Sequence, residues 1–168
     1  MKLEVLKRLP ENNSKPTPIM FVHGAWHSAW CWNKYFLKYF ADSGYASYAL
    51  SLRGHGNSEG ILKGSSINDY VDDLRKVIND FQINPILIGH SMGGLVVRRY
   101  IAKYNPPAVI LLAPVPINSA SFGSTRFACK HPLIFIKANL KHNLHLIVET
   151  PELCRQLFFS ENIDNKLL

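Results

Sequence analysis

The chain has 168 residues, 47% of them hydrophobic and 18% charged, and a formal net charge of +7. That length is about one domain's worth, and the balance is that of a globular protein able to fill a core, which argues against disorder. The positive charge raises nucleic acid as a partner, yet Lys and Arg are spread along the chain without a basic run or a binding motif, so nucleic acid is set aside.

In chain order, "LEVLKRL" alternates weakly between apolar and polar residues. "PIMFVHG" (18–24) is a short apolar run bounded by Pro and Gly, and it predicts a strand. "AWCWNKYFLKYFADSG" (29–44) predicts a helix stopped by Gly44, and "YASYALSL" (45–52) a second strand. Over 67–81, Ile67, Tyr70, Val71, Leu74, Val77, Ile78 and Phe81 recur at helical spacing, with Ser66 and Asp69 forming a capping-box start. "PILIGHS" (85–91) and "AVILLAPV" (108–115) predict two more strands, separated by a helix in "GGLVVRRYIAKYNPP" (93–107) that ends at a Pro pair. The strands are rich in Ile, Leu and Val and are expected to be mostly buried on both faces. Their alternation with helices predicts right-handed crossovers and a mainly parallel sheet, with binding at the carboxyl ends of its strands.

Beyond the last strand, "PLIFIKANLKHNLHLIV" places Leu133, Ile136, Leu140, Leu144 and Ile147 at helical spacing, and "TPELCRQLFFSENID" reads as one more short helix. The densest basic region, with Arg126, Lys130, Lys137 and Lys141, overlaps this apolar stretch. No apolar run approaches the roughly 18 to 20 residues that span a bilayer, and "MKLEVLKRLPENNSKP" breaks off into polar residues and prolines instead of forming a signal-peptide core. The expected location is cytoplasmic. Cys31, Cys129 and Cys154 are odd in number, far apart and without metal-ligand spacing, so buried, reduced thiols are expected instead of a disulfide framework or a zinc site.

Three strand ends run into Gly/His/Ser clusters: "HGAWH", "RGHGNSEG" and "GHSMGG". The third contains Gly89-His90-Ser91-Met92-Gly93, a G-x-S-x-G between a predicted strand and a predicted helix. Such a turn is sharp and strained, so the positions two before and two after the serine must be small for strand and helix to approach. The serine hydroxyl then stands at a helix N-terminus, which favours developing negative charge. A turn that merely packs, or that cradles a phosphate, is the competing reading. No G-K-[ST] ending and no G-x-G-x-x-G after the first strand support it, so Ser91 is read as a nucleophile. His23 and His27 are four apart but lack the glutamate of an H-E-x-x-H helix, so no metal is expected.

On these residues the chain resembles the α/β-hydrolase superfamily over roughly residues 18 to 118. "FVHGAWHSAWCW" is similar to the opening of plant methylesterases and hydroxynitrile lyases, and "SLRGHGNSEG" and "GHSMGG" to bacterial lysophospholipases and monoacylglycerol lipases. The resemblance implies an α/β fold in which a mainly parallel sheet carries helices on both faces. Residues 1–118 would form the N-terminal part of the core and 119–168 a helical cap.

For catalysis, the resemblance implies an oxyanion hole made by the backbone N–H groups of Met92 and Ala25, with Trp26 next in line after Ala25. It gives Gly24 the role of letting the backbone come close, and His23 that of bracing the loop. It places His90 buried beside the nucleophile, too close in sequence to serve as its base, and gives His55 a structural role. His131, His142 and His145 match no base position of the family. The implied chemistry is ester hydrolysis through an acyl-enzyme on Ser91, without metal or cofactor, on a small-molecule ester whose lipophilic character is suggested by Trp26, Trp30 and the apolar cap.

A triad also needs a carboxylate and then a histidine, in the family order Ser, Asp or Glu, His. Asp164 and Glu161 are the late carboxylates and no histidine follows them. Three explanations stand. The chain is the N-terminal portion of a serine hydrolase whose last strands, acid and base would follow in roughly 80 to 120 residues, its open sheet edge then causing instability or association. It is a non-catalytic relative that keeps a binding pocket. Or the basic apolar stretch 130–148 lies on a membrane surface, a reading ranked below an ordinary cap helix. Oligomeric state is not given by the sequence.

Overall fold

A computed structural model describes residues 1–115, 129–141 and 143–158. The chain divides into two compact units, Met1–Ile117 and Asn118–Leu168. The first holds a five-stranded sheet in the order β1-β3-β2-β4-β5. Its strands are β1 (Val5–Arg8), β2 (Ile19–Val22), β3 (Ser47–Leu50), β4 (Ile86–His90) and β5 (Val109–Leu112). β1 runs antiparallel to β3, with Val5 opposite Leu50, and every other pairing is parallel. The weakly alternating N-terminal stretch is therefore the antiparallel edge.

Helices α1 (Trp30–Asn33) and α2 (Phe36–Asp42) join β2 to β3, α3 (Ile67–Ile78) joins β3 to β4, and α4 (Met92–Ile101) joins β4 to β5. The two faces of the sheet are covered separately. Val71, Leu74, Val77, Val96 and Val97 of α3 and α4 pack on Met20, Val22, Leu50 and Leu87. On the other face, Trp32 and Leu37 of α1 and α2 pack on Ile19, Phe21, Ala49 and Ile88. Strand alternation divides the same residues between faces, since neighbours such as Phe21 and Val22 point opposite ways.

Several expected bounds move for physical reasons. The helix expected over 29–44 is broken at Tyr35, whose backbone leaves the helical region at φ −136°. Trp32 and Leu37 are five apart, a spacing that would separate them on one continuous helix, and the break lets both reach the cluster around Phe21. Gly44 ends the second piece at φ +91°, a conformation suited to glycine. The capping box at Ser66 and Asp69 forms. α3 stops at Ile78, short of Phe81, whose N–H closes a tighter turn onto the Ile78 carbonyl at 2.9 Å. Phe81 still joins the core, edge-on to Tyr48 at 4.7 Å. α4 likewise ends before its Pro pair, the Tyr104 N–H bonding back to the Tyr100 carbonyl at 3.0 Å.

Burial on both faces holds for the central strands and fails at the edge. β2 is buried throughout, whereas Ile110 of β5 is 46% exposed. Among the described residues β5 has a neighbour on one side. The cysteines also depart from expectation: all three are free, but Cys129 is exposed and Cys31 and Cys154 are half-buried. Among the described residues, no helix is long and apolar enough to cross a membrane.

In the second unit, helix Pro132–Leu140, a 3-10 turn at Leu144–Ile147 and helix Pro151–Phe158 are formed. Pro151 is the first helical residue and Thr150 caps it, its Oγ1 accepting from the Leu153 N–H at 3.3 Å. The expected stripe is not the buried face. Ile147 is buried, but Leu133, Ile136 and Leu140 are exposed, and Ala138 with Ile134, Phe135, Leu146, Leu153 and Leu157 forms the small core instead. The helix ends at Leu140, so a single helical period cannot be carried across to Ile147.

Candidate active site

The crossover from β2 goes to α1 on one face of the sheet, and that from β4 goes to α4 on the other, while β2 and β4 are neighbours. Their carboxyl ends therefore flank a topological switch point, where the divergence of two loops opens a crevice in sheets of this kind. His23-Gly24-Ala25 follows β2 and Ser91 follows β4, so two of the three Gly/His/Ser clusters meet there.

Ser91 occupies the N-cap of α4 at φ +51°, ψ −116°. Few non-glycine residues tolerate this region, and the strain must be held by the surroundings. It is held by two backbone bonds across to β5 and beyond: the Ser91 N–H donates to the Leu112 carbonyl at 3.0 Å, and the Ser91 carbonyl accepts from the Val115 N–H at 3.1 Å. The glycines of the motif are required by space. A Cβ on Gly89 would lie 2.6 Å from the Gly93 carbonyl oxygen, and one on Gly93 would run into the carbonyls of His23 and Val22. The Met92 N–H, first in α4, is one of the amides that an α-helix leaves without an internal acceptor.

The segment facing Ser91 is fixed by histidines. His23 is fully buried; its Nε2 accepts from the Leu52 N–H at 3.1 Å, and its Nδ1 donates to the Gly24 carbonyl at 2.7 Å. These two bonds select the neutral ring with the proton on Nδ1. Burial pushes its pKa down to about 4, so it stays neutral and cannot act as a base near neutral pH. With the Gly24 carbonyl engaged on one side, planarity of the peptide turns the Ala25 N–H to the opposite side. His27 Nδ1 does the same one residue on, donating to the Ala25 carbonyl at 2.8 Å across Trp26, which sits at φ +62°.

His90 is half-buried, not buried as expected; burial and the nearby His27 hold its pKa below the usual imidazole value. Its ring is edge-on to Trp32 at 6.4 Å and to His27 at 6.5 Å, and His27 stacks on the exposed Trp30 at 5.7 Å. His55 supports this group from the side: its Nδ1 bonds the Arg53 carbonyl at 2.9 Å and its ring lies 4.9 Å from His23. His131 bonds Gln156 at 2.7 Å within the second unit. His142, Glu161 and Asp164 lie outside the described residues. Among the described residues no histidine side chain hydrogen-bonds the Ser91 hydroxyl, and no group of three His, Cys, Asp or Glu side chains could hold a metal ion.

Sequence reasoning missed the polar residues behind the loops. Asp73 of α3 is 1% exposed and takes Arg53 through Nε at 3.0 Å and Nη2 at 2.8 Å, while Asp69 takes Nη1 at 2.9 Å. These carboxylates raise the pKa of Arg53 and tie the loop after β3 to α3. An acidic residue on the apolar face of a predicted helix was the available signal. Half-buried Glu4 and buried Ser51 form a second polar group, to which the sequence offered no pointer.

The arrangement places a strained serine at a helix N-terminus, with the Gly24 backbone close beside it. A model of the alpha/beta hydrolase family matches residues 19–161. A non-heme chloroperoxidase of Kitasatospora aureofaciens is 31% identical over 103 residues, covering 59% of this chain and 37% of that protein. A bifunctional esterase/perhydrolase of Acinetobacter calcoaceticus is 32% identical over 107 residues, covering 61% and 38%. The chain thus spans well under half the length of these relatives. A lipase-esterase related protein of Clostridium acetobutylicum superposes with a TM-score of 0.61 at 26% identity, covering 95% of this chain and 66% of that structure. Fold, elbow and family model agree, and the chain belongs to the alpha/beta hydrolase family.

Proposed function

We propose that the protein is a serine hydrolase that cleaves carboxylic esters through an acyl-enzyme on Ser91. The observation that carries this reading is the conformation of Ser91, held at φ +51° on the N-cap of α4 beside Gly24. Attack by the Ser91 oxygen on an ester carbonyl forms a tetrahedral oxyanion, which the N–H groups of Met92 and Ala25 would stabilise. Collapse expels the alcohol, and water then releases the acid and restores the hydroxyl. His23, Gly24, Trp26, His90, Gly89 and Gly93 shape and support this site. The exposed Trp26 and Trp30 favour a lipophilic ester.

The base that activates Ser91 and its acidic partner are not among the described residues that surround it. The test is hydrolysis of short and long acyl esters by the protein and by its Ser91→Ala variant. Turnover that falls by at least about a thousandfold in the variant supports the reading, and turnover that persists overturns it. A second reading, transfer of the acyl group to hydrogen peroxide instead of water, is favoured by the similarity to the bifunctional esterase/perhydrolase. Peracid formation in the presence of peroxide distinguishes it.

A further inference from the structure

Ser51 and Leu52 follow β3, and each secures one end of the segment that faces Ser91. Leu52 holds His23 at the start of that segment, and the Ser51 Oγ accepts from the Ala29 N–H at 2.9 Å at its end. A hydroxyl has a single proton, and that of Ser51 goes to Glu4 Oε2 at 2.5 Å. Giving the proton to a carboxylate fixes the rotor and leaves a lone pair turned toward Ala29.

Glu4 lies just ahead of β1, far from Ser91 in sequence, yet its carboxylate bonds both Ser51 and Asn57 of the loop after β3. Oε2 also accepts from the Asn57 N–H at 3.2 Å and Oε1 from Asn57 Nδ2 at 2.6 Å. The Glu4 N–H donates to Ser58 Oγ at 2.9 Å, and the Ser58 hydroxyl donates to the Ser51 carbonyl at 2.5 Å. The Ser51 N–H returns to the Glu4 carbonyl at 2.9 Å. Gly56, at φ +55°, closes over the group: a Cβ there would strike the Glu4 carboxylate and lie 2.8 Å from Ser51 Oγ and 3.0 Å from Ser28 Cβ. Burial alone would raise the Glu4 pKa, but the bonds from Ser51 and Asn57 outweigh it and hold it below the usual glutamate value.

We propose that Glu4 is a positioning residue for the Gly24–Ser28 segment, acting through the Ser51 hydroxyl on the Ala29 amide. Its consequence for catalysis rests on the serine-hydrolase reading, because that segment carries the Ala25 amide assigned to the oxyanion hole. Its structural content does not depend on turnover.

Amide hydrogen exchange, read residue by residue on the 168-residue chain, tests it. In Ser51→Ala the Ala29 amide exchanges roughly tenfold faster while Asn57 keeps its protection; in Glu4→Gln both amides exchange faster by a similar factor. The sheet amides of Phe21 and Leu87 keep their protection in both variants. Unchanged protection of Ala29 in Ser51→Ala overturns the proposal, as does a loss of the same size at Ala29, Phe21 and Leu87, which would mark a general loss of stability. Ser51→Ala keeps the carboxylate and its bonds to Asn57, so it isolates the Ser51–Ala29 link; Glu4→Ala carries the test of Glu4 if Glu4→Gln does not fold, and unchanged protection of Ala29 in a folded Glu4 variant also overturns the proposal. If Ser91→Ala retained ester turnover, the hydrolase reading would fall and this result would stand.

Discussion

Gly24 lies directly against Ser91: a Cβ on Gly24 would be 3.0 Å from Ser91 Cβ and 3.1 Å from His90 Nδ1. Gly93 meets backbone instead, the carbonyls of His23 and Val22, which cannot swing aside. The two glycines should therefore fail differently. Gly93→Ala is expected to cost about 1–3 kcal/mol of stability or to prevent folding. Gly24→Ala should cost less stability, because its closest contacts are longer than those at Gly93, and more turnover, because the group displaced is Ser91. Urea denaturation and ester assays on the two variants compare these losses.

The buried His23 makes stability depend on pH. Its folded pKa, about 4, lies below the 6.5 of a free imidazole, so between those values the unfolded chain binds a proton that the folded chain does not. This contribution is complete above about pH 6.5 and is lost as pH falls toward 4, by on the order of 3 kcal/mol. Denaturant midpoints measured from pH 7.5 to pH 4.5 should fall through that interval, and the part of the fall due to His23 should vanish in His23→Gln. A midpoint flat from pH 7 to 5 would contradict the assignment.

Strain at Ser91 should be visible as a stability gain when it is relieved. Glycine adopts φ +51° without a Cβ penalty, so Ser91→Gly is expected to be more stable than Ser91→Ala by about 1 kcal/mol, with neither variant active. Thermal melts of the pair test this; equal melting temperatures would mean that the turn stores no strain.

β5 is paired on one side among the described residues and exposes Ile110, which leaves a strand edge able to accept another chain. The 168-residue chain is expected to self-associate, and Ile110→Lys to shift it toward monomer in sedimentation velocity. Association unaffected by that substitution would place the contact elsewhere.

Much of the first unit was legible in the sequence because its signals are local. Apolar runs bounded by Pro or Gly marked four parallel strands, and the period of Ile67 to Ile78 marked α3. The strained turn at Ser91 could be read from Gly89 to Gly93, since its glycines answer to a turn only a few residues long. The break at Tyr35 was not legible, because propensity favours continuing the helix and the break serves contacts with Phe21, a residue of another element. The second unit was misread for the same reason: period continues through "KHN" on paper, while the helix ends at Leu140.

By itself the sequence determined the family, the parallel sheet and the residue at the elbow, since each is written in short-range spacing. Only the tertiary structure decided how the site is held. His23 is fixed by Leu52, Ala29 by Ser51, Ser51 by Glu4 and Arg53 by Asp73, across separations of 29, 22, 47 and 20 residues. Hydrogen bonds between such distant groups leave no periodic trace in a chain. They form because the sheet order β1-β3-β2 places the end of β3 between the N-terminal segment and the loop after β2, and a buried polar group must find its partner among whatever the fold brings near.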